Sequence, residues 1–249
     1  MRVSVVVPTY NERENIGVLI ELLDKHLKGF DYEVVVVDDN SPDGTAEVAE
    51  ELAKRYPVKV VKRPGKLGLA SAIFDGINAS SGDVIVVMDA DLQHPPELVP
   101  ALLERLDKCD LVIASRYVRG GGIEEWSLLR KVFSVGAVLL ARLLVPGCFY
   151  VKDPVSGFFA IKRGLLRGWK PIEPRNYKVL VELLKELRGA RVCEVPYVFK
   201  GRRRGTSKLS KSVIAAYVKV LIKLGFLRLL IALLAIVLIA FFLLHYYYS

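Results

Sequence analysis

Val84-Ile85-Val86-Val87-Met88-Asp89-Ala90-Asp91 is a short apolar run that ends in two carboxylates. A run of this length, rich in β-branched residues, fits a strand buried on both faces. In extended backbone an Asp-x-Asp points both carboxylates to one side, where they repel unless a cation lies between them. Hard oxygen ligands at the mouth of a strand suit Mg²⁺ or Mn²⁺, an ion that often carries substrate phosphates as well. Upstream the same kind of strand recurs. Arg2 to Val7 is one, ended by Pro8; Tyr32 to Val37 is a second, closed by the turn residues Asp38 to Gly44; Val58 to Lys62 is a third. Helical spacing separates them: Ile16, Leu19, Ile20, Leu23 and Leu27 within Glu12–Leu27, then Thr45–Tyr56 and Leu69–Ala79. This βαβαβαβ order predicts an α/β fold with a mostly parallel central sheet and helices on both faces. Ligands of such sheets bind beyond the carboxyl ends of the strands. Tyr10, Asn11 and Glu12, then Asp38 and Asp39, then Asp89 and Asp91 all fall there, so three acidic clusters are expected to converge.

A chain of 249 residues accommodates one large domain and a smaller appendage, and 52% hydrophobic residues is high for a purely soluble chain. The net charge of +9 is unevenly spread, with 12 Lys and Arg against 20 Asp and Glu in residues 1–110 and 24 against 7 in residues 111–249. A basic second half faces anions: phosphorylated substrate, lipid headgroups or nucleic acid. Nucleic acid is the weakest of these, because Arg202 to Arg204 lack interleaved aromatics. Cys109, Cys148 and Cys193 are odd in number and widely spaced, which indicates neither a disulfide framework nor a zinc site and fits a reducing compartment. The N-terminus enters a strand at once, without the pattern of a signal peptide. Leu229 to Leu244 is uninterruptedly apolar, with Lys219, Lys223 and Arg228 before it and Tyr246, Tyr247 and Tyr248 after it. One C-terminal transmembrane helix is expected, with the basic catalytic part on the cytoplasmic face.

Pro8-Thr9-Tyr10-Asn11-Glu12, Val37-Asp38-Asp39-Asn40-Ser41, Gly65-Lys66-Leu67-Gly68 and Asp89-Ala90-Asp91-Leu92-Gln93 follow one another in the order seen in family-2 glycosyltransferases, which the chain resembles. Ala114-Ser115-Arg116-Tyr117, Asp153-Pro154-Val155-Ser156-Gly157, Tyr177-Lys178-Val179-Leu180 and the segment from Phe199 to Leu209 narrow the likeness to the dolichyl-phosphate mannose synthases. The resemblance covers about residues 2–212. It implies a Rossmann-like, nucleotide-sugar-binding domain of GT-A type. Pro8, Tyr10, Glu12, Val37, Asp39, Lys66, Asp89, Ala90 and Asp91 are implied to hold the nucleotide sugar, and Asp89, Asp91 and Gln93 the metal. Arg116, Arg130 and Ser134 are implied for the acceptor phosphate, and Asp91, Arg116, Arg202 and Lys208 for catalysis. Asp153, Ser156 and Gly157 fall in a loop that the likeness places near the sugar or acceptor; an ordinary turn is the alternative.

The chemistry of the residues agrees. Attack on an anomeric carbon by a hydroxyl needs a general base, whereas a phosphate is already ionised at neutral pH and needs cations to orient it. Gln93 is the only glutamine, so the Gln-x-x-Arg-Trp signature of processive polysaccharide synthases is impossible. Leu128 to Leu144 is apolar nearly all round, with Arg130, Lys131 and Arg142 as its charges, and fits a helix at a membrane interface; a buried core helix is the alternative. The expected organisation is a catalytic domain over residues 1–206 with an interface helix near 127–145, an amphipathic interface helix over 207–224 and a membrane segment over 225–249. The expected activity is metal-dependent, inverting transfer of mannose from GDP-mannose to dolichyl or other polyprenyl phosphate, with Mg²⁺ or Mn²⁺, membrane lipids as partner and no obligate protein partner. UDP-glucose or UDP-GlcNAc as sugar donor is the alternative, and a membrane-tethered nucleotide-binding regulator a more distant one.

Overall fold

β1 (Arg2–Thr9) and β2 (Asp31–Asp38) run parallel in register from Arg2↔Asp31 to Thr9↔Asp38, with α1 (Arg13–His26) as the crossover. The structure, a computed structural model, describes residues 1–187, 189–201 and 215–226. After α2 (Thr45–Leu52) come β3 (Val58–Lys62), α3 (Leu69–Ala79), β4 (Val84–Val87), α4 (Val99–Arg105) and β5 (Leu111–Ser115). β6 (Gly122–Ile123), α5 (Leu128–Leu144), β7 (Phe159–Lys162), α6 (Val179–Glu186), β8 (Val192–Pro196) and β9 (Val198–Phe199) complete the chain order. Seven strands form one sheet in the order β3-β2-β1-β4-β7-β5-β8, while β6 and β9 pair as a separate ribbon. β7 is antiparallel to both its neighbours and every other pair in the sheet is parallel.

The apolar runs are apolar because both faces of the sheet are covered. Val35, Val37, Ile85 and Val87 enter one core, and Val34, Val36, Val84 and Val86 enter the other. Phe158 and Phe159, adjacent in sequence, go to opposite faces in the same way. Pro8 does not end β1, which continues to Thr9. β4 pairs with β1 only as far as Val6↔Val87, so the N–H that proline lacks lies beyond that ladder. α2 stops at Leu52 rather than Tyr56.

Cys109 and Cys193 form a disulfide with Cα atoms 6.0 Å apart, which overturns the expectation of unpaired thiols. Their separation of 84 residues hides their adjacency: Cys193 stands opposite Val112 in β8, and Cys109 lies just before β5. The cysteine pattern therefore gives no ground for a reducing compartment. Cys148 stays a free buried thiol, its pKa pushed up to about 12 by desolvation.

α5 is not a core helix. Leu128 is 80% exposed, Phe133 68% and Leu143 68%, and of its 17 residues only Val138 and Ala141 are buried. The helix over residues 215–226 packs one face on the protein and leaves the other, with Lys219 and Lys223, exposed. It buries Tyr217, Val220, Leu221 and Leu224 in the core, donates from Tyr217 Oη to the Ala137 carbonyl at 2.8 Å, and pairs Lys219 with Glu173 at 2.6 Å. No helix among the described residues is long and apolar enough to cross a membrane. The expected span at Leu229–Leu244, and with it Arg202 and Lys208, lies outside the described residues.

This packing sets where the chain can be cut. Ending it after Phe226 is expected to leave a folded nucleotide-sugar binder. Ending it before residue 215 removes the buried Ala216 and four large buried side chains, Tyr217, Val220, Leu221 and Leu224, worth about 1.5–3 kcal/mol each. Circular dichroism melts of the two truncations check this; equal melting temperatures would exclude the helix from the core.

Candidate active site

The order β2-β1-β4 puts the carboxyl ends of three parallel strands, and the acidic residues that follow each, side by side. At the outer end Asp38 is consumed by its own turn: it accepts from Thr9 Oγ1 at 2.9 Å, Ser41 Oγ at 2.6 Å and Ser41 N at 2.8 Å. Asp39, the next residue, ion-pairs with Arg63 and accepts from Gly68 N at 3.3 Å. Arg63 also reaches Asp75 at 2.9 Å and Ser71 Oγ at 2.7 Å, both in α3, and so ties α3 to the end of β2 through Asp39. Burial raises the Asp39 pKa, and Arg63 opposes it. Gly68 sits at φ +116°, where a Cβ would meet Arg175 Cα at 2.8 Å, so only glycine fits. Lys66 Nζ lies 4.0 Å over the Tyr10 ring, a cation–π contact that closes this loop over β1. Glu12 accepts from Asn15 Nδ2 at 2.8 Å, and its N–H donates to Thr45 Oγ1 at 2.9 Å. Pro8 and Val37 pair across β1 and β2; both are buried in the sheet.

After β4, Asp91 is buried and its Oδ1 accepts from Gln93 N at 3.2 Å, whereas the Asp89 side chain is 44% exposed. Ala90 between them is buried. Leu92 takes φ +60°, a left-handed conformation costly for this residue and of a kind that concentrates at functional sites. Gln93 Nε2 donates to the Lys200 carbonyl at 2.8 Å. His94 folds back under the turn: its Nδ1 accepts from Asp89 N at 3.0 Å, and its ring stacks on Phe158 at 5.2 Å. Gly157 lies against the His94 ring, where a Cβ would come 3.3 Å from His94 Cε1, and within van der Waals reach of Asp89 Oδ2.

Across β7 the sign of charge reverses. Arg116, at the end of β5, forms a bidentate pair with the fully buried Asp153, Nε to Oδ2 at 2.8 Å and Nη2 to Oδ1 at 2.7 Å, while its N–H also donates to Oδ2 at 3.0 Å. Ser156 is a turn residue, donating to the Ala114 carbonyl at 2.7 Å. Tyr117 Oη donates to Ser134 Oγ at 2.9 Å, which joins the β5 end to α5. Arg130, one turn earlier on α5, lies with its Cζ 4.1 Å over the Trp126 ring. Lys178 Nζ donates to the Val155 carbonyl at 2.9 Å. Desolvation, then repulsion from Arg116, bring its pKa down to about 8, although Asp153 and Asp89 pull the other way.

Residues 4–168 match the family described as glycosyl transferase family 2. This chain belongs to that family. The dolichol-phosphate mannosyltransferase of Pyrococcus furiosus is 48% identical over 220 residues, which cover 88% of this glycosyltransferase but only 62% of that relative, so the chain spans less than two thirds of its length. The protein of the same name from Saccharomyces cerevisiae is 39% identical over 228 residues, covering 87% of this chain and 84% of that one. Among solved structures, glucosyl-3-phosphoglycerate synthase from Mycobacterium tuberculosis in complex with Mn²⁺, UDP and glucosyl-3-phosphoglycerate has a TM-score of 0.64 at 26% identity, covering 90% of this chain and 80% of that one. The GT-A type α/β fold with its mostly parallel sheet is thereby established.

For a glycosyltransferase the oxygens after β4 are suited to a divalent ion. Among the described residues no three His, Cys, Asp or Glu side chains gather closely enough to hold a metal by themselves. Asp89 and Asp91, with the amide oxygen of Gln93, make an all-oxygen set of two carboxylates, the composition that leaves an ion open to substrate phosphates. Arg63, Trp126 and Lys178 are the site residues that the sequence alone did not single out. Arg63 precedes a Pro-Gly turn and reads as loop charge; Trp126 is an isolated aromatic; Lys178 stands inside the Tyr177–Leu180 motif without a chemical role.

His94 supplies a pH test. Burial lowers its pKa from 6.5 to about 4, so the unfolded chain takes up the proton first as the pH falls. The stability carried by neutral His94 is therefore intact above about pH 6.5 and lost progressively towards pH 4, amounting to about 2 kcal/mol by pH 5. His94→Asn keeps an acceptor for Asp89 N–H and does not titrate, and is expected to flatten this part of the profile. Urea unfolding at pH 7 and pH 5 measures it; equal losses in both proteins would remove His94 as the cause.

Proposed function

We propose that this glycosyltransferase transfers mannose from GDP-mannose to the phosphate of dolichol or a related polyprenol, with a divalent metal, Mg²⁺ or Mn²⁺, and with inversion at the anomeric carbon. The observation that carries the proposal is the placing of Arg130 and Ser134 on α5, a helix whose apolar face is exposed, beside Arg116, with one strand, β7, between them and the Asp89–Asp91 cluster. A soluble acceptor has no use for such a face; a lipid phosphate needs both its cations and its apolar surface. A groove between Tyr117, Val138, Leu139, Arg142, Phe149 and Tyr150 opens beside the Tyr117–Ser134 bond, in keeping with an acceptor whose chain is apolar. The names of the relatives from Pyrococcus furiosus and Saccharomyces cerevisiae support the same acceptor and sugar. The Mn²⁺ and UDP of the mycobacterial complex support a metal and a nucleoside diphosphate.

The residues divide the work. Tyr10, Lys66 and the Arg63-held Asp39 surround the position for the base and ribose. Asp89, Asp91 and Gln93 hold the ion, which when bound neutralises charge on the departing diphosphate. Arg116, Arg130 and Ser134 orient the acceptor phosphate for direct displacement, which requires no proton to be removed from it. Arg202 and Lys208 are assigned to catalysis, as cations that recognise phosphate, on their motif positions alone. The same site with a UDP-sugar is the second reading, since the solved relative carries UDP. The α5 face, on the bilayer surface, would anchor the enzyme with its catalytic part on the cytoplasmic side.

Incubation with GDP-mannose, UDP-glucose and UDP-GlcNAc, each radiolabelled, together with polyprenyl phosphate and Mn²⁺, tests the proposal by label counted in the organic phase. Label from GDP-mannose alone is the expected result. Label from a UDP-sugar instead would reassign the donor, and label that stays in water with every donor would overturn the lipid acceptor.

A further inference from the structure

Arg116 and Arg130 carry like charges, yet both approach one indole. Arg130 Cζ is 4.1 Å from the Trp126 ring centroid and Arg116 Cζ is 5.8 Å from it. A π face attracts a guanidinium, so one ring offsets part of the repulsion between two. The ring is itself held in place. Phe199 meets it edge-on at 5.2 Å, and Glu124 N donates to the Phe199 carbonyl at 2.9 Å in the β6–β9 ribbon. Glu125, the residue before it, takes φ +58°, a left-handed turn between the ribbon and the start of α5 at Ser127. Backbone in this region is costly for a residue with a Cβ, and such cost is kept where the geometry matters. The Trp126 Nε1–H is buried with no hydrogen-bond acceptor among the described residues. A tryptophan kept for its N–H would have an acceptor; one kept for its face need not.

We propose that Trp126 is a positioning residue for the acceptor phosphate: it holds the Arg130 guanidinium beside the Arg116–Asp153 pair, so that the two cations are preset for one phosphate. The proposal rests on the phosphate-acceptor reading given above. Arg130 stands at the exposed start of α5, where a long side chain has rotamer freedom for the ring face to restrict. Arg116 is already fixed by Asp153, so the ring acts chiefly on Arg130.

The test uses the full chain carrying Trp169→Phe, which leaves Trp126 as the sole indole, since the chain has two tryptophans. Trp169 is buried against Phe74. Wild-type transfer to polyprenyl phosphate is measured first; its absence would overturn the phosphate-acceptor reading and this proposal with it. Trp126→Leu, which keeps bulk and loses the π face, is expected to raise KM for polyprenyl phosphate about three- to thirtyfold. KM for GDP-mannose stays within about twofold, the mark of an effect confined to the acceptor. Trp126→Phe, which restores a π face, recovers most of the loss. In the Trp169→Phe protein, Trp126 emission changes on adding polyprenyl phosphate in detergent micelles and not with empty micelles. Equal acceptor KM for the Phe and Leu variants, a parallel rise in both KM values, or unchanged emission at saturating acceptor would each overturn the proposal.

Discussion

Asp91→Ala is expected to lower kcat by about a hundred- to a thousandfold, the loss seen when a preset electrostatic partner of the developing charge is removed. Asp91 is buried, and its Oδ1 also receives the Gln93 N–H, so the substitution removes a ligand and loosens the turn that carries another. Asp89→Ala should cost less, because that side chain is half open to water, which can fill its place on an ion. Chelation should act like the substitution: excess EDTA silences the wild type and Mn²⁺ restores it. Initial rates with and without EDTA decide the matter. Undiminished turnover in the chelator, with no gain from Mn²⁺, would withdraw Asp89, Asp91 and Gln93 as metal ligands.

The second large effect concerns stability. Asp153→Ala leaves the Arg116 guanidinium buried without its counter-charge and is expected to cost about 3–5 kcal/mol. Both nitrogens of one guanidinium edge and the Arg116 N–H lose their acceptor together. Replacing both partners, Arg116→Met with Asp153→Leu, should recover most of that stability, because an apolar pair of similar volume avoids desolvating two ions. Transfer should not return with it, since the cation is gone. Urea unfolding of the three proteins gives the comparison. A single-variant loss below about 1 kcal/mol would mean that the pair behaves as an exposed one.

The strands after which the site is built were legible because each is a short β-branched run buried on both faces, a pattern that few other elements share. Asp89 and Asp91 could be placed for the same reason: the end of such a run is a fixed point of a parallel sheet. What could not be read was pairing between distant positions. Asp39 is legible as a strand-end carboxylate, but its partner Arg63 lies on the next strand's exit, and nothing local couples them. The Arg116–Asp153 pair and the Cys109–Cys193 bridge join segments that meet only because β7 inserts antiparallel between β4 and β5 and β8 adds beyond β5. The helix over 215–226 shows two stripes. Its lysines repeat as on a surface helix, while Tyr217, Val220, Leu221 and Leu224 form the narrow stripe that decides its burial.

β7 has one more consequence. Because it runs against both β4 and β5, those two strands point the same way with a single strand between them. Neighbouring strands stand about 4.8 Å apart, so the acidic exit of β4 and the cationic exit of β5 are held about 10 Å from each other. That interval is written into main-chain hydrogen bonds and owes nothing to the side chains at either end. On the proposed reading the two halves of the mouth can therefore drift independently: residues near Asp39 can be exchanged, or those on α5, while the spacing between the two strand exits stays constant.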